Sequence, residues 1–199
     1  MEKTIVFDLG GVVFFLDGGS YKGREKMADS LGLDKEKLHK IWFEKKDLLV
    51  TGKMDEEEFL KEIVKISEKP ISLEDIKIKI RENNIVNEEM LSLLRKLKEN
   101  NLLVALNNEI KEWNEYRISK FKLNDYFESI ISSCDVGVAK PDIKIYEILL
   151  DKLKKSPEDV IFIDNREENL IPAEKLGIKT HLFKSKEILV DWLKENNNL

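Results

Sequence analysis

Apolar and polar positions divide this chain into two unlike parts. Four short runs rich in Val and Ile, each bounded by turn residues, predict buried strands at residues 4–9, 102–106, 129–132 and 160–163, with 179–183 as a weaker fifth. Between the later runs the apolar period becomes helical, over residues 110–121, 142–153 and 167–176, and Gly177 is placed to close the last of these. Strand alternating with helix predicts an α/β, Rossmann-like parallel sheet with helices on both faces.

The stretch after the first strand follows another rule. From residue 20 to 84 no strand pattern stands out, and the amphipathic segments 21–31, 34–49, 55–66 and 72–81 predict four helices. Ser72 stands three residues before Asp75, a capping arrangement with Asp in place of the more usual Glu. A helix over 87–99 then returns the chain to the sheet. These elements predict a core domain made of residues 1–15 and 86–199, interrupted by a small all-helical domain of residues 16–85. An insertion of this size is too long for an idle loop. The polar tail 195–198 is expected to fray.

Composition narrows the functions open to such a chain. At 199 residues there is room for one sizeable core plus the insertion. The net charge of −5, with no sustained basic block, argues against nucleic acid as a partner. Cys134 is the single cysteine, which excludes an internal disulfide and a cysteine-built zinc cluster and fits a cytoplasmic location. Asp8 interrupts the first apolar stretch, against a signal peptide, and no run approaches the roughly 20 residues of a membrane span. His39 and His181 lie far apart, without acid or hydroxyl partners arranged for catalysis. No heptad or long apolar stretch declares an oligomeric state.

In an open parallel sheet, ligands bind beyond the carboxyl ends of the strands. The residues there are Asp8, followed by Gly10 and Gly11; Asn107 and Asn108; Lys140; and Asp164 with Asn165. Singly, each has a plain reading: an Asp after a strand caps or turns, a Lys before Pro faces solvent, and glycines supply positive φ. Together they bring two acids, a lysine and several amides to one rim, which packing does not require.

Four segments resemble the motifs of the haloacid dehalogenase (HAD) superfamily. "VFDLGGVV" is similar to the first motif, "GVAKPDIKIY" to the third, and "VIFIDNREENLIPAEKLGIKT" to the fourth with its following helix. "LLVALNNEIKEW" stands where the second belongs, and "TGKMDEEEF" resembles a stretch common in the small helical caps of one branch. The resemblance implies a phosphohydrolase acting on a small phosphorylated metabolite with magnesium. Asp8 would be the nucleophile and Lys140 the neutralising cation. Gly10, Gly11, Asn107 and Asn108 would line the phosphate, while Asp8, the Gly10 carbonyl, Asp164 and Asn165 would hold the metal.

Three positions depart from that pattern. The residue two after the nucleophile, usually an acid that protonates the leaving group, is Gly10. The second motif lacks its Ser or Thr: the matching position is Leu106, or Asn107 if the alignment moves by one. The fourth motif reads Asp164-Asn165 instead of Asp-Asp. These losses leave open a slow phosphohydrolase and a binding protein on an enzyme fold. A 2-haloacid dehalogenase is a more distant reading, because "DLGGVVFF" lacks the matching stretch. In the cap, Tyr21, Trp42, Phe43, Lys45 and Lys46 either face the site or serve as core and solvated face. Trp113 reads as helix–sheet packing, Asn169 as a cap or a bond to the rim, and Arg166 as a phosphate ligand or a partner of Glu167 or Glu168.

Overall fold

The computed structural model describes residues 3–16 and 19–196. The predicted domain ends 1–2, 17–18 and 197–199, and with them the end of the fraying tail, lie outside the described residues. The chain opens with β1 (Lys3–Phe7) and β2 (Phe14–Leu16) and passes through α1 (Tyr21–Leu31), α2 (Lys35–Val50), α3 (Glu56–Val64) and α4 (Leu73–Glu82). It returns through β3 (Ile85–Val86) and α5 (Glu88–Leu97). Then come β4 (Asn101–Asn107), α6 (Lys111–Phe121), β5 (Ser129–Ser132), a short α7 (Ser133–Val136) and α8 (Ile143–Leu153). The chain ends with β6 (Val160–Asp164), α9 (Glu167–Lys175), β7 (Lys179–Leu182) and α10 (Lys186–Glu195).

Five strands form one parallel sheet in the order β5-β4-β1-β6-β7. Their side chains alternate between two apolar layers. Ile5, Phe7, Leu103, Ala105 and Ile163 join Met90, Leu94, Leu189 and Leu193 of α5 and α10 on one face. Val6, Val104, Leu106 and Phe162 meet Ile145, Tyr146 and Leu149 of α8 and Leu170 and Ala173 of α9 on the other. Burial on both faces is why these strands read as continuous apolar runs. The chain runs from central β1 outward through β4 to β5, then crosses back to β6 on the other side of β1 and on to β7, so the crevice at the carboxyl end of β1 is the switch point where ligands bind.

Helices α1 to α4 gather a third apolar cluster, including Met27, Leu38, Leu49, Phe59, Leu60, Ile76 and Ile80. Their starts are fixed by Ser20, Asp34, Asp55 and Ser72, whose side chains each accept a backbone N–H. At Ser72 the reciprocal bond from Asp75 is also present, completing the capping box read in the sequence.

Three features differ from the sequence expectation. β2 and β3 pair antiparallel, Phe14 with Val86 and Leu16 with Ile85, so the chain leaves for the helical insertion and returns from it along one short ribbon. Two- and three-residue strands are too short for an alternation pattern to reveal. A further helix, α10, follows the last predicted strand and seals the first layer through Leu189 and Leu193. Trp113 does not pack between helix and sheet. It joins the cluster of the inserted helices, its ring 6.1 Å from that of Trp42 and nearly parallel to it, and its indole N–H donates to Glu56 Oε1 at 2.8 Å. Helix α6 buries Asn114 and Arg117 beside Trp113, and its apolar residues are shared between the inserted helices, through Trp113, and the core, through Ile118 and Phe121.

Candidate active site

The strand ends converge as the sheet register requires. Phe7 pairs with Ala105 on one side and Ile163 on the other, so the next residues, Asp8, Leu106 and Asp164, stand level at the rim. The Asp8 N–H still bonds Ile163 O at 2.9 Å, which fixes the strand end to its neighbour. Beyond Asp8 the backbone turns sharply: Leu9 O accepts the N–H groups of Val13 and Phe14, each at 2.9 Å. Gly11 takes φ +80°, and a Cβ there would lie 2.3 Å from Asn165 Nδ2. The left-handed conformation favours glycine here, and a side chain would also push the exposed Asn165 amide aside.

Lys140 supplies the centre of the site. Its side chain is buried, and its three ammonium hydrogens have three acceptors: Asp8 Oδ1 at 2.8 Å, Asp164 Oδ2 at 2.7 Å and Leu106 O at 2.8 Å. Asp164 is further held by Asn169 Nδ2 at 2.9 Å and by the Arg166 backbone N–H, also at 2.9 Å. It spends most of its acceptor capacity on protein donors. Asp8 accepts from Lys140 Nζ through Oδ1, which leaves most of its roughly four lone-pair positions without a side-chain donor.

Two carboxylates thus share one cation. Burial pushes Asp8 up to about 6; Lys140 opposes this shift and Asp164 adds to it. Burial also disfavours the Lys140 ammonium, but Asp8 and Asp164 outweigh it and raise its pKa above the ordinary lysine value. The site therefore carries surplus negative charge at neutral pH, held by hard oxygen donors. That suits a divalent cation of the magnesium type, which needs only one or two carboxylates and otherwise keeps water or phosphate ligands. Among the described residues no group of three or more His, Cys, Asp or Glu gathers to hold a metal, so the two rim carboxylates would be completed by backbone, amide, water or phosphate oxygens.

Residues 2–177 match the haloacid dehalogenase-like hydrolase family. This chain belongs to that family. It is 26% identical to a D-ribitol-5-phosphate phosphatase of Bacteroides thetaiotaomicron, over 98% of this chain and 97% of that protein. A HAD-family enzyme from the same organism, solved with magnesium and inorganic phosphate, superposes with a TM-score of 0.78 at 26% identity, covering 94% of this chain and 96% of that one. Mouse bifunctional epoxide hydrolase 2 is 44% identical over 61 residues, 31% of this chain but only 11% of that longer protein.

In this HAD-like hydrolase, the sequence-predicted residues divide by what holds them. Asp8, Lys140 and Asp164 form one hydrogen-bonded cluster. Gly10 and Gly11 make the turn behind Asp8, and Asn165, exposed, lies across Gly11. Leu106 turns its side chain into the core and offers only its carbonyl, so Asn107 is the rim residue of the second motif. Asn107 is buried; its Nδ2 donates to Asn114 Oδ1 at 3.1 Å, while its Oδ1 finds no partner among the described residues. Asn108 is spent differently from a phosphate donor. Its Nδ2 donates to Lys140 O at 2.7 Å and its Oδ1 accepts the Lys140 N–H at 2.8 Å, clamping the lysine backbone.

Asn169 bonds the rim instead of capping, and its own carbonyl accepts the buried Tyr146 hydroxyl at 2.6 Å. Tyr146 went unnoticed in the sequence because its aromatic ring reads as core, which it also is. Arg166 pairs on the surface with Glu168, at 3.4 Å. Of the cap candidates, Trp42 is partly buried, Lys45 and Lys46 are half-buried, and Tyr21 and Phe43 are 57% and 60% exposed. Both rings flank the guanidinium of Arg24, each centroid at 5.9 Å.

Proposed function

We propose that this protein is a magnesium-dependent phosphomonoesterase acting on a small phosphorylated metabolite through an aspartyl-phosphate intermediate on Asp8. The observation that carries the proposal is the Lys140 ammonium bonded to Asp8 and Asp164 at once, beside a carboxylate with free lone pairs at the sheet's switch point. The relatives support the substrate class: one acts on a sugar-alcohol phosphate, and another was solved with magnesium and inorganic phosphate.

An Asp8 oxygen attacks phosphorus, and the bond to the leaving oxygen breaks with its electron pair passing to that oxygen. Lys140 holds Asp8 in line and offsets the charge of the phosphoryl group. Water then attacks the acyl phosphate, releasing inorganic phosphate and restoring the Asp8 carboxylate. Asp8, Asp164, the Gly10 carbonyl and Asn165 would hold magnesium, which neutralises phosphoryl charge when bound. Gly10 offers no acid to the leaving oxygen, so its proton comes from water, and substrates with good leaving groups are favoured. An internal acid is worth about 100- to 10,000-fold.

The same reading divides the chain into a core of residues 1–15 and 86–199 and a cap of residues 16–85 that encloses a small substrate. It places the enzyme in the cytoplasm, in keeping with one unpaired cysteine. Phosphate release from a panel of small phosphomonoesters, with and without magnesium, tests it: activity should require magnesium and vanish in Asp8→Asn. Gly10 and Asn165 favour a second reading, a phosphate-binding protein with little turnover. Under that reading, inorganic phosphate raises the melting temperature while wild type and Asp8→Asn release phosphate equally slowly.

A further inference from the structure

The molecule buries a second charged pair that the reaction does not use. Arg117 on α6 is 2% exposed, and its Nη1 donates to Glu109 Oε2, in the loop directly after Asn107 and Asn108. Its Nε donates to Asn84 Oδ1, one residue before β3, and its guanidinium lies 5.1 Å from the ring of Phe14 in β2. Asn84 in turn donates its Nδ2 to Ile80 O, in the last turn of α4, at 3.0 Å. One arginine therefore touches β2, the residue leading into β3 and the loop that closes β4, and through Asn84 it reaches the end of the inserted helices.

The loop end of this chain is equally fixed. Glu109 Oε1 accepts the Ile110 N–H at 3.0 Å, and the Glu109 N–H donates to Ser133 Oγ at 3.1 Å, so moving the carboxylate moves the loop. Helix α6 adds two parallel links: Trp113 reaches Glu56 of α3, and Asn114 accepts from Asn107 at the rim. A buried ion pair is weak evidence for stability, because desolvation offsets its attraction and apolar replacements are often neutral. Its placement between the cap's attachment and the rim points to another use.

We propose that Arg117 and Asn84 are positioning residues for phosphoryl transfer, coupling the seat of the inserted helices through Glu109 to the loop bearing Asn107 and Asn108. The inference rests on the phosphomonoesterase reading. Asn84→Ala tests it without altering a buried charge. The readouts are inhibition by inorganic phosphate, KM and kcat separately, and melting temperature.

Asn84→Ala should weaken inhibition by phosphate about tenfold, a coupling of ordinary size. Asn84→Asp keeps the acceptor for Arg117 but loses the Nδ2 donor to Ile80 O, so it should show the same defect, since the link to α4 is cut. Glu109→Gln should produce the same defect, and combining it with Asn84→Ala should lose no more than the larger single change, since both cut one path. A lower melting temperature with unchanged phosphate inhibition and unchanged KM and kcat would reduce the network to packing and overturn the inference. So would losses that simply multiply. A wild type that neither hydrolyses the panel nor binds phosphate removes the phosphomonoesterase reading and the inference with it. A wild type that binds phosphate no better than Asn84→Ala does removes the inference alone.

Discussion

Replacing Asp8 by Asn should make the metal-free protein more stable at neutral pH, although it removes the nucleophile. Asn keeps the shape of the carboxyl group and an oxygen for Lys140 Nζ, so the change is close to fixing Asp8 in its protonated form. Burial raises the folded-state pKa to about 6 from 3.8, so the folded chain holds a proton that the unfolded chain has already lost. The contribution of Asp8 to stability is therefore fullest below about pH 4 and is lost as pH rises to about 6. The loss is about 3 kcal/mol, from about two pKa units at 1.36 kcal/mol each. Urea denaturation in the presence of a chelator, at pH 7.5 and at pH 5, measures it. Asp8→Asn should exceed wild type by up to about 3 kcal/mol at the higher pH and by roughly half of that at the lower. A variant less stable than wild type at pH 7.5, or an advantage that does not shrink on acidification, would refute the charge surplus on which the metal proposal rests.

Lys140→Met leaves Asp8 and Asp164 facing each other without a cation; it should cost about 3–5 kcal/mol in urea denaturation at pH 7.5 and abolish phosphate release. Wild-type stability in that variant would contradict the central role of the ammonium. Gly11→Ala places a side chain at φ +80° and pushes the exposed Asn165 amide aside, so thermal unfolding should show a loss of about 1–2 kcal/mol, mainly from the backbone. An unchanged melting temperature would mean that the turn tolerates a side chain. Tyr146→Phe deprives the buried Asn169 carbonyl of its donor; we expect about 1 kcal/mol of destabilisation together with a lower kcat. A fall in stability with kcat unchanged would show that Tyr146 does not steady Asp164 through Asn169.

The sheet was legible because its strands are buried on both faces and so stand out as Val- and Ile-rich runs, and because strand ends mark the rim. Asp8, Asn107 and Asp164 followed from that alone. Lys140 was placed at the same rim, soon after the third strand, but a lysine before proline taken singly reads as solvent-exposed, and only the resemblance gave it the role of neutralising cation. Asn108 was recognised as a rim residue, but its amide has both ends committed to the Lys140 backbone, a pairing across 32 residues that no local pattern carries. The ribbon of β2 and β3 is too short to show a period. Arg117 and Glu109 are eight residues apart, outside the helical i,i+4 spacing that announces an ion pair, and Asn84 is a further 33 residues from Arg117. Trp113 shows the same limit, since a helical segment with one large aromatic residue does not name what covers it.

The central claim is that Asp8 itself takes the phosphoryl group. Its most direct test is the intact mass of the protein, acid-quenched during turnover of a good phosphomonoester substrate with magnesium present. Wild type should carry the added mass of one phosphoryl group, mapped by peptide analysis to Asp8, and Asp8→Asn should carry none. Phosphate release from wild type with no adduct at Asp8, or undiminished release from Asp8→Asn, would contradict the account.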